Sequence, residues 1–401
     1  MHPPPESTLT LPPAAAKFPS WPFFGPDQIT AVTAVLASGK VNYWTGNLVK
    51  EFENAYATHL GVKHAVAVFN GTIALELIMR ALDIGPGDEV IVTSRTFVAT
   101  ASCVLWAGAR PVFADIDPVS GNITAATICA VVTPRTKAVI VVHLGGWPCD
   151  MDPILALANE HGFKVIEDCA QANHATYKGR RVGSIGHVSA FSFCQDKIIT
   201  TGGEGGLIAT NESGLWNRLW SLKDHGKSYD AVFNRQHPVG FRWLHEGIGT
   251  NGRMTEMQAA IGLEALKKLP VWVDRRTENA GAYARILADL PALQILTPPA
   301  DVRHSYYRFY ALLKLERLQS GWNRDRLIGV LSAAGYPCFS GSCCEIYLEK
   351  TFDGIRPARR LSQASIMTAT SICFLTHPTL QMSDCEQIAK AARTLIQSVS
   401  Q

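Results

Sequence analysis

Residues 65–168 alternate short, strand-like runs with longer amphipathic segments, and this alternation limits the possible folds more than any other feature. The predicted strands are residues 65–69, 89–93, 111–115, 137–143 and 164–167, and the predicted helices between them are residues 72–82, 96–106, 123–132 and 153–161. The strands are apolar along their whole length, which indicates a sheet covered on both faces. Strands that alternate with helices favour a mainly parallel sheet with right-handed crossovers.

The pattern changes after residue 187. Two predicted strands, residues 187–193 and 206–210, are separated by a glycine-rich loop too short for a crossover helix, so we expect them to join the sheet differently. Thr255 and Gln258 have the spacing of a capping box, at the start of a helix that Pro270 is expected to end. Further predicted elements are helices at residues 27–38, 276–290, 325–334 and 384–399 and a strand at residues 306–315.

These elements predict an α/β protein with a smaller α+β part at its C-terminal end. We divide the chain into an N-terminal arm (residues 1–26), a large α/β domain (residues 27–270) and a small α+β domain (residues 271–401). The proline-rich arm precedes the first predicted helix, and no low-complexity linker separates the two domains.

Composition argues against several classes of protein. The net charge is only +3, and no run of Lys and Arg is dense enough for a nucleic-acid surface. The longest apolar runs are far too short to cross a bilayer, and residues 1–24 lack the features of a signal peptide. The ten cysteines show neither a C-x-x-C pair nor metal-ligand spacing, which favours free thiols in a reducing cytosol. We therefore expect a cytoplasmic protein without a metal.

Residues 70–72 (Asn-Gly-Thr) form the first candidate motif, between a strand and an apolar helix. A helix N-terminus offers free N–H groups and a positive dipole end, so a phosphate is a natural ligand there. Gly71 would let the backbone approach such a ligand closely. The alternative interpretation is a tight turn with Thr72 as the helix N-cap.

Two further motifs carry groups that could take part in catalysis. Asp168 and Gln171 follow a buried strand, where open α/β sheets bind ligands, and an aspartate there could keep the pyridine nitrogen of pyridoxal phosphate protonated. Lys197 lies between an apolar strand and a glycine-dense loop; a lysine shielded from water can attack an aldehyde. Ser192 could donate its hydroxyl to a phosphate. The alternatives are an exposed acid and a solvated loop lysine.

The order of these motifs resembles the DegT/DnrJ/EryC1/StrS family of sugar aminotransferases, a branch of the fold-type I pyridoxal phosphate enzymes. The resemblance covers about residues 40–270 and rests on residues 52–53 (FE), 70–75 (NGTIAL), 85–91 (GPGDEVI), 96–97 (TF), 142–146 (VHLGG), 167–171 (EDCAQ), 192–197 (SFCQDK) and 251–254 (NGRM). It implies an aspartate aminotransferase-like fold with a mainly parallel seven-stranded sheet, and a homodimer whose subunits share each active site.

The resemblance also implies a role for each matched residue. Lys197 would form the internal aldimine with pyridoxal 5'-phosphate and later move a proton, and Asp168 would pair with the pyridinium nitrogen. Phe97 would stack on the ring, with core packing as the alternative. Gln171 would contact the ring oxygen or the opposite face. The phosphate would be bound by Gly71, Thr72, Ser192 and, from the neighbouring subunit, Asn251.

The activity that the resemblance implies is ping-pong transamination. An amino acid, L-glutamate in this family, would give its amine, and a nucleotide-linked keto sugar would take it, in the biosynthesis of amino sugars for lipopolysaccharides or glycosides. The family's common acceptor is a 4-keto-6-deoxy hexose, with a 3-keto sugar or a cyclitol precursor as alternatives. Residues 338–348 depart from the family's usual segment near the sugar, so the acceptor stays open. His174 replaces a common glycine, and we expect a packed or surface histidine.

Other functions fit the residues less well. Related dehydratases carry histidine in place of Lys197, and a nicotinamide dehydrogenase would need a G-x-G-x-x-G motif that the sequence lacks. Residues 226–228 resemble the end of a P-loop, but Ser221 stands where its first glycine should be. A non-catalytic protein that binds pyridoxal phosphate and acts as a regulator or scaffold is the remaining alternative.

Overall fold

The protein is described by a computed structural model that covers residues 11–15 and 17–401, so part of the predicted arm lies outside the described residues. The strands are β1 (His64–Val68), β2 (Glu89–Thr93), β3 (Arg110–Ala114), β4 (Thr136–Val142), β5 (Lys164–Asp168), β6 (Thr176–Tyr177), β7 (Arg180–Arg181), β8 (Val188–Ser192), β9 (Gly206–Thr210), β10 (Leu293–Ile295), β11 (Val302–Arg303), β12 (Arg308–Leu313), β13 (Cys338–Phe339) and β14 (Ser371–Leu375).

Helices cover both the large sheet and the C-terminal part of the chain. They are α1 (Pro26–Ser38), α2 (Leu48–Leu60), α3 (Gly71–Ala81), α4 (Ala99–Trp106), α5 (Ala125–Cys129), α6 (Met151–His161), α7 (Ser213–Lys223), α8 (Tyr229–Phe233), α9 (Glu256–Leu287), α10 (Arg324–Ala333), α11 (Ser362–Thr370) and α12 (Met382–Ser398). The sequence did not predict α2, α7, α8 or α11, and α5 is shorter than the predicted helix at residues 123–132.

A seven-stranded sheet with the order β1-β9-β8-β5-β4-β2-β3 forms the centre of the larger part of the molecule. Strand β9 runs antiparallel to both of its neighbours, and the other adjacent pairs are parallel. The predicted α/β fold with a mainly parallel sheet is therefore confirmed. The prediction that residues 206–210 join the sheet differently is also confirmed, because they form the antiparallel strand β9. Residues of β2, β4 and β5 are buried on both faces, in agreement with their continuous apolar pattern.

The prediction that Pro270 ends a helix was wrong. Helix α9 is 32 residues long and continues through Pro270, so the two helices expected before and after the proline are a single helix. Leu269 and Val273 are fully buried beside the proline, and Tyr283 is buried in a second core farther along. This packing stabilises the helix more than the missing N–H of Pro270 destabilises it. The division of the chain at residue 270 stays a prediction.

The C-terminal part contains an antiparallel four-stranded sheet with the order β10-β12-β14-β13. Its core includes Phe309 and Phe374, and both rings stack near Tyr283 of α9, with centroids 5.4 and 5.0 Å away. Helix α9 therefore contributes to the cores of both parts of the molecule.

Three strand ends of the large sheet meet at one edge. Strands β4, β5 and β8 are parallel neighbours, so the residues after their carboxyl ends lie side by side. The N-terminus of α3, which follows β1, reaches the same edge because Gly206 of β9 packs directly on the turn at residues 70–71. This edge is where the fold brings polar residues together.

Two findings bear on the predictions from composition. Among the described residues, no helix is both long and apolar enough to span a membrane. The ten cysteines, all within the described part of the chain, carry free thiols, and most of them are buried.

Replacing Gly206 with alanine is expected to destabilise the protein. A Cβ at position 206 would lie 2.4 Å from the carbonyl carbon and oxygen of Asn70 and 2.8 Å from the nitrogen of Gly71, so a strand or a turn must shift. We expect Gly206→Ala to lower the free energy of unfolding by about 2 kcal/mol or more in urea titrations.

Gly214 provides the matched control, because a Cβ there has no neighbour within 4 Å and the residue lies in α7. Gly214→Ala should raise the free energy of unfolding by about 0.5–1 kcal/mol. Equal stability of the two variants would contradict the close packing at Gly206.

Candidate active site

A cleft of about 1200 Å³ opens where the carboxyl edge of the large sheet faces the small sheet. Seven of the eight residues that the sequence predicted for the site line this cleft: Gly71, Thr72, Phe97, Asp168, Gln171, Ser192 and Lys197. The small sheet and its loops add residues that the sequence did not suggest, among them Tyr307, Arg308 and Tyr310. The cleft is therefore formed by residues from both parts of the chain.

The first turn of α3 forms one end of the cleft. Asn70 is the N-cap, since its Oδ1 accepts a hydrogen bond of 2.9 Å from the nitrogen of Ile73; the alternative in which Thr72 is the N-cap is wrong. The N–H groups of Gly71 and Thr72 precede the first bond within the helix, so they are available to a ligand. A Cβ on Gly71 would lie 2.8 Å from Cβ of Ser192, so only glycine leaves this corner open. The corner suits an anion such as a phosphate.

Asp168 is a buried acid whose carboxylate faces the cleft. Thr100 Oγ1 donates to its Oδ2 at 2.9 Å, and the nitrogen of Ala170 donates to its Oδ1 at 3.1 Å. Burial raises the pKa of Asp168, and these hydrogen bonds offset only part of the effect. The alternative of an exposed acid is therefore excluded, since the residue is 5% exposed.

The neighbouring acid, Glu167, points away from the cleft because side chains alternate along a strand. Its carboxylate accepts bonds of 2.6–2.8 Å from the nitrogens of Gly183, Ile185 and Gly186, and one of 3.0 Å from His143 Nε2. Burial alone would raise the pKa of Glu167, but the hydrogen bond from His143 and those from the backbone outweigh it, and the pKa lies below its ordinary value. Glu167 is thus fully occupied in holding the fold.

His143, Glu167 and Cys169 come close enough together to suggest a metal site, since their ligand atoms lie within 4.8 Å of one another. Both nitrogens of His143 are already used: Nδ1 accepts a bond of 3.0 Å from the nitrogen of Cys149, so Nε2 carries the hydrogen donated to Glu167. Burial raises the pKa of Cys169 well above its ordinary value, so it stays a thiol. The ligand atoms of His143 and Glu167 are thus occupied by hydrogen bonds, and Cys169 adds only a neutral thiol.

Lys197 reaches the cleft from the loop after β8. Its Nζ lies 3.2 Å from Asp196 Oδ1 and 5.4 Å from the centre of the Tyr307 ring, and 18% of its side chain is exposed. Tyr307 donates its hydroxyl hydrogen to Asp196. Lys197 is therefore shielded by the small sheet, and the alternative of a solvated loop lysine does not apply.

The N-terminal arm holds the backbone at Lys197, which nothing in the sequence indicated. Trp21 Nε1 donates to the carbonyl oxygen of Lys197 at 2.8 Å. The indole of Trp21 packs edge-to-face on Trp272, with centroids 5.2 Å apart, and the guanidinium of Arg276 lies 5.4 Å from its centre. Thr379 also bonds the carbonyl of Ser20 at 3.0 Å. Residues 20 and 21 are thus fixed both at α9 and at the C-terminal part of the chain.

The segment at residues 338–348 lines the outer part of the cleft. Gln171 Oε1 accepts a bond of 2.7 Å from the nitrogen of Gly145, and its Nε2 lies 3.4 Å from Ser342 Oγ. The nitrogen of Ser342 donates in turn to the hydroxyl of Tyr310 at 3.1 Å. The part of the chain that departs most from the family pattern therefore contacts a predicted site residue.

Two further predicted site residues have exposed side chains. Phe97 is 68% exposed at the cleft, which rules out the core-packing alternative within the described chain. Asn251 is exposed and pairs with Asp224, away from the cleft of its own chain. A contact of Asn251 with a second subunit stays a prediction.

His174 is a packed histidine, as the sequence indicated. It is buried with a φ of 67°, in the region that favours glycine, and its ring stacks on His59 with centroids 5.2 Å apart. Arg181 donates to its Nδ1 at 2.9 Å, and burial lowers the pKa of His174 to about 3. The residue is neutral and lies outside the cleft.

Known proteins resemble this chain over nearly its whole length. Residues 24–393 match the DegT/DnrJ/EryC1/StrS aminotransferase family. GDP-perosamine synthase of Caulobacter vibrioides is 43% identical over 72% of this chain and 75% of its own. UDP-N-acetyl-3-dehydro-alpha-D-glucosamine 3-aminotransferase of Acidithiobacillus ferrooxidans is 41% identical over 73% and 75%. The crystal structure of an aminotransferase from Psychrobacter cryohalolentis superposes with a TM-score of 0.94 at 50% identity, covering 95% and 99% of the chains.

The two adjacent acids are expected to affect stability in opposite directions. Glu167, whose pKa is lowered, stabilises the fold above its ordinary pKa, and this contribution is lost as the pH falls through the folded value. Asp168, whose pKa is raised, destabilises the fold once the pH rises above its ordinary value.

At pH 7, Glu167→Gln should therefore lower the free energy of unfolding of the cofactor-free protein by about 2 kcal/mol or more, because buried N–H groups lose their acceptor. Asp168→Asn should raise it. Urea titrations at pH 7 and pH 4 provide the measurement, and both differences should shrink at pH 4. Destabilisation by Asp168→Asn at pH 7 would contradict this account of the pair.

Trp21→Phe tests the contact between the arm and the lysine loop. Phenylalanine keeps an aromatic ring but has no N–H donor, so we expect amide hydrogen exchange in the peptide containing Lys197 to accelerate about fivefold. Trp106→Phe is the control, because Trp106 is 75% exposed and lies outside the cleft. Unchanged exchange in Trp21→Phe would mean that the hydrogen bond does not hold the loop.

Proposed function

Because the chain belongs to the DegT/DnrJ/EryC1/StrS aminotransferase family, we propose that it transfers an amino group from L-glutamate to a nucleotide-linked keto sugar with pyridoxal 5'-phosphate as cofactor. The observation that supports this most directly is that Lys197, Asp168 and the first turn of α3 line one cleft. The product would be a nucleotide-linked amino sugar, the activated form from which such sugars enter polysaccharides and glycosides.

The residues of the cleft fit pyridoxal phosphate. The free N–H groups of Gly71 and Thr72, together with Ser192, suit its phosphate, in a corner that a Cβ at position 71 would fill. Asp168 suits the pyridine nitrogen of the cofactor, since a carboxylate next to that nitrogen stabilises its protonated form. Lys197 is the amine that would hold the aldehyde.

The cofactor, when bound, supplies an electron sink for the carbon that gains or loses a proton during amine transfer. Asp168 would maintain this property by keeping its charge next to the ring nitrogen, and Thr100 orients that carboxylate. In the first half-reaction Nζ of Lys197 would take the proton from the donor's carbon and pass it to the cofactor, and in the second it would carry a proton from the cofactor to the acceptor's carbon. Asp196 lies 3.2 Å from this Nζ and is itself held by Tyr307, so it would orient the lysine between the two transfers.

Phe97 and Gln171 both line the cleft, and the exposed ring of Phe97 is available to stack on a flat ligand ring. Gln171 bonds the nitrogen of Gly145 and faces the cleft, so it would contact the ring oxygen or the opposite ring face. Phe97 would cover the remaining face, which excludes water from the reacting atoms.

We place the acceptor sugar in the outer cleft, where residues 339–343 and Lys350 form the wall. The relatives that resemble this chain are named for a GDP-linked and a UDP-linked amino sugar, which supports a nucleotide-linked acceptor. A 4-keto-6-deoxy hexose is the acceptor that we propose, with a 3-keto sugar as the alternative that the second relative's name supports. Lys350 is exposed at this wall and would attract the diphosphate.

A second copy of the chain would complete the site. Asn251 is exposed and lies outside the cleft of its own chain, so its proposed contact with the phosphate requires a homodimer. Exposed apolar residues close to it in the sequence, including Phe241 and Trp243, support burial of this segment against a second copy.

Attachment of the cofactor and transfer of the amine provide the test. After reduction with borohydride, mass spectrometry should find pyridoxal phosphate on the peptide that contains Lys197. The protein with L-glutamate should aminate one member of a panel of nucleotide-linked 4-keto-6-deoxy hexoses and 3-keto sugars. We expect Lys197→Ala to lack the attached cofactor and to lose about 1000-fold or more in turnover.

Lys137→Ala is the control, because this lysine is exposed and lies outside the cleft. Turnover of Lys197→Ala at the wild-type rate would refute the role of the lysine. Attachment of the cofactor without amine transfer to any acceptor or from any amino acid would favour a non-catalytic protein.

A further inference from the structure

Three cationic side chains are found among the described residues that line the cleft: Lys197, Arg308 and Lys350. Lys350 is exposed at the outer wall. Arg308, at the start of β12, is only 19% exposed, and its side chain lies close to the lysine loop. Of the three cationic residues, Arg308 is the one on the small sheet, and one acidic residue lies next to both Arg308 and Lys197.

That shared neighbour is Asp196. Its Oδ1 is 3.2 Å from Nζ of Lys197, and its Oδ2 is 3.9 Å from Nη2 of Arg308, which is beyond hydrogen-bond length. Among the described residues, the guanidinium of Arg308 makes one hydrogen bond, to the carbonyl oxygen of Tyr307 at 3.2 Å from Nη1. The guanidinium therefore has most of its five N–H donors free for a ligand in the cleft.

A second guanidinium increases the positive charge at this position. Arg276 is fully buried, and its Nη1 lies 3.4 Å from the same carbonyl oxygen of Tyr307. Its Nε and Nη2 have no hydrogen-bond partner among the described residues. Burial, and secondarily the charge of Arg308, lowers the pKa of Arg276 to about 9. Asp196 is thus the carboxylate close to Lys197, Arg308 and Arg276, and it leaves most of the N–H donors of the two guanidinium groups without a partner among the described residues.

An amino-acid donor would bring a carboxylate that these N–H donors can bind. Its α-carboxylate is attached to the carbon that must react beside Nζ of Lys197, so it enters the cleft together with the amine. A carboxylate moved out of water needs a partner, and the planar fork of arginine binds both of its oxygens at once. The keto sugar carries no carboxylate beside its reacting carbon, so it has no need of this partner.

We propose that Arg308 binds the α-carboxylate of the amino-acid donor, an assignment that rests on the proposed function. Arg308 then distinguishes the two substrates that share one cleft: it contributes to the reaction of the donor and contributes nothing to that of the acceptor sugar. Arg276 helps to hold Arg308 in place, because the guanidinium groups of both residues donate to the carbonyl oxygen of Tyr307.

The first test compares L-glutamate with its α-amide, which keeps the amine and lacks the α-carboxylate charge. In rapid-mixing experiments on the holoenzyme, we expect Arg308→Gln to lower the rate constant per unit L-glutamate concentration about 100-fold. The rate with the α-amide should stay unchanged, which also shows that the variant is folded. Arg308→Lys should lie between the two, because a single ammonium replaces the fork.

Arg317→Gln is the matched control, because Arg317 is exposed and lies outside the cleft. It should behave as the wild type with both compounds. Arg308→Gln that keeps the wild-type preference for L-glutamate over the α-amide would overturn the assignment while leaving transamination intact.

Binding without turnover separates this assignment from the proposed function. 2-Oxoglutarate has a carboxylate and no amine to give, so its binding to the holoenzyme can be measured by calorimetry. We expect Arg308→Gln to weaken it about 100-fold. If the wild type binds 2-oxoglutarate through Arg308 but transfers no amine, the proposed function fails and the carboxylate site stands. If it does not bind 2-oxoglutarate, the carboxylate site is refuted, whatever the turnover.

Discussion

The buried carboxylate of Glu167 fixes the geometry on which the cleft depends. It accepts hydrogen bonds from His143 after β4 and from three backbone nitrogens of residues 183–186, just before β8. One side chain on β5 therefore ties together the ends of three neighbouring strands. Because side chains alternate along a strand, the same attachment turns Asp168 towards the cleft. The acid that supports the fold and the acid proposed for the chemistry are adjacent, and their environments shift their pKa values in opposite directions.

The loop that contains Lys197 follows a strand of the large sheet, and it is also held by the arm and by the residue before β12. Tyr307 bonds Asp196 beside Lys197, and Trp21 bonds the carbonyl of Lys197 from the other direction. Trp21 precedes Lys197 by 176 residues, and Tyr307 follows Asp196 by 111 residues. The lysine loop is therefore held by residues that are far away in the chain on both sides. Helix α9 makes this possible because it belongs to the cores of both parts of the chain. Arg308 is next to Tyr307 in the chain. If it binds the donor as we propose, residues from both parts of the chain position the lysine and its substrate together.

The sequence predicted the large sheet well because its signals are local. Continuous apolar runs over β2, β4 and β5 indicated buried parallel strands, and the ordered motifs indicated seven residues of the cleft. Pro270 misled the prediction, since the packing of Leu269 and Val273 overrides the local preference of proline. Trp21 and Arg308 were missed for a different reason. Each acts on residues far away in the chain, and neither lies in a motif that a single sequence marks. The Asn70 cap was missed although asparagine is the stronger N-cap by type, because Thr72 is also a common cap and the position of the first helical residue was uncertain by about two residues.

The contact made by Trp21 has a consequence for how the polypeptide is made. The arm leaves the ribosome long before the residues that receive it: Lys197, then Trp272, and finally Thr379 near the C-terminal end. Its indole lacks Trp272 until about two thirds of the chain has been made, and Ser20 lacks Thr379 until nearly the whole chain has, so the arm makes all of these contacts only near the end of synthesis. Residues 20 and 21 are thus translated well before their partners and are among the last to reach their native contacts, one of which is with the backbone of Lys197.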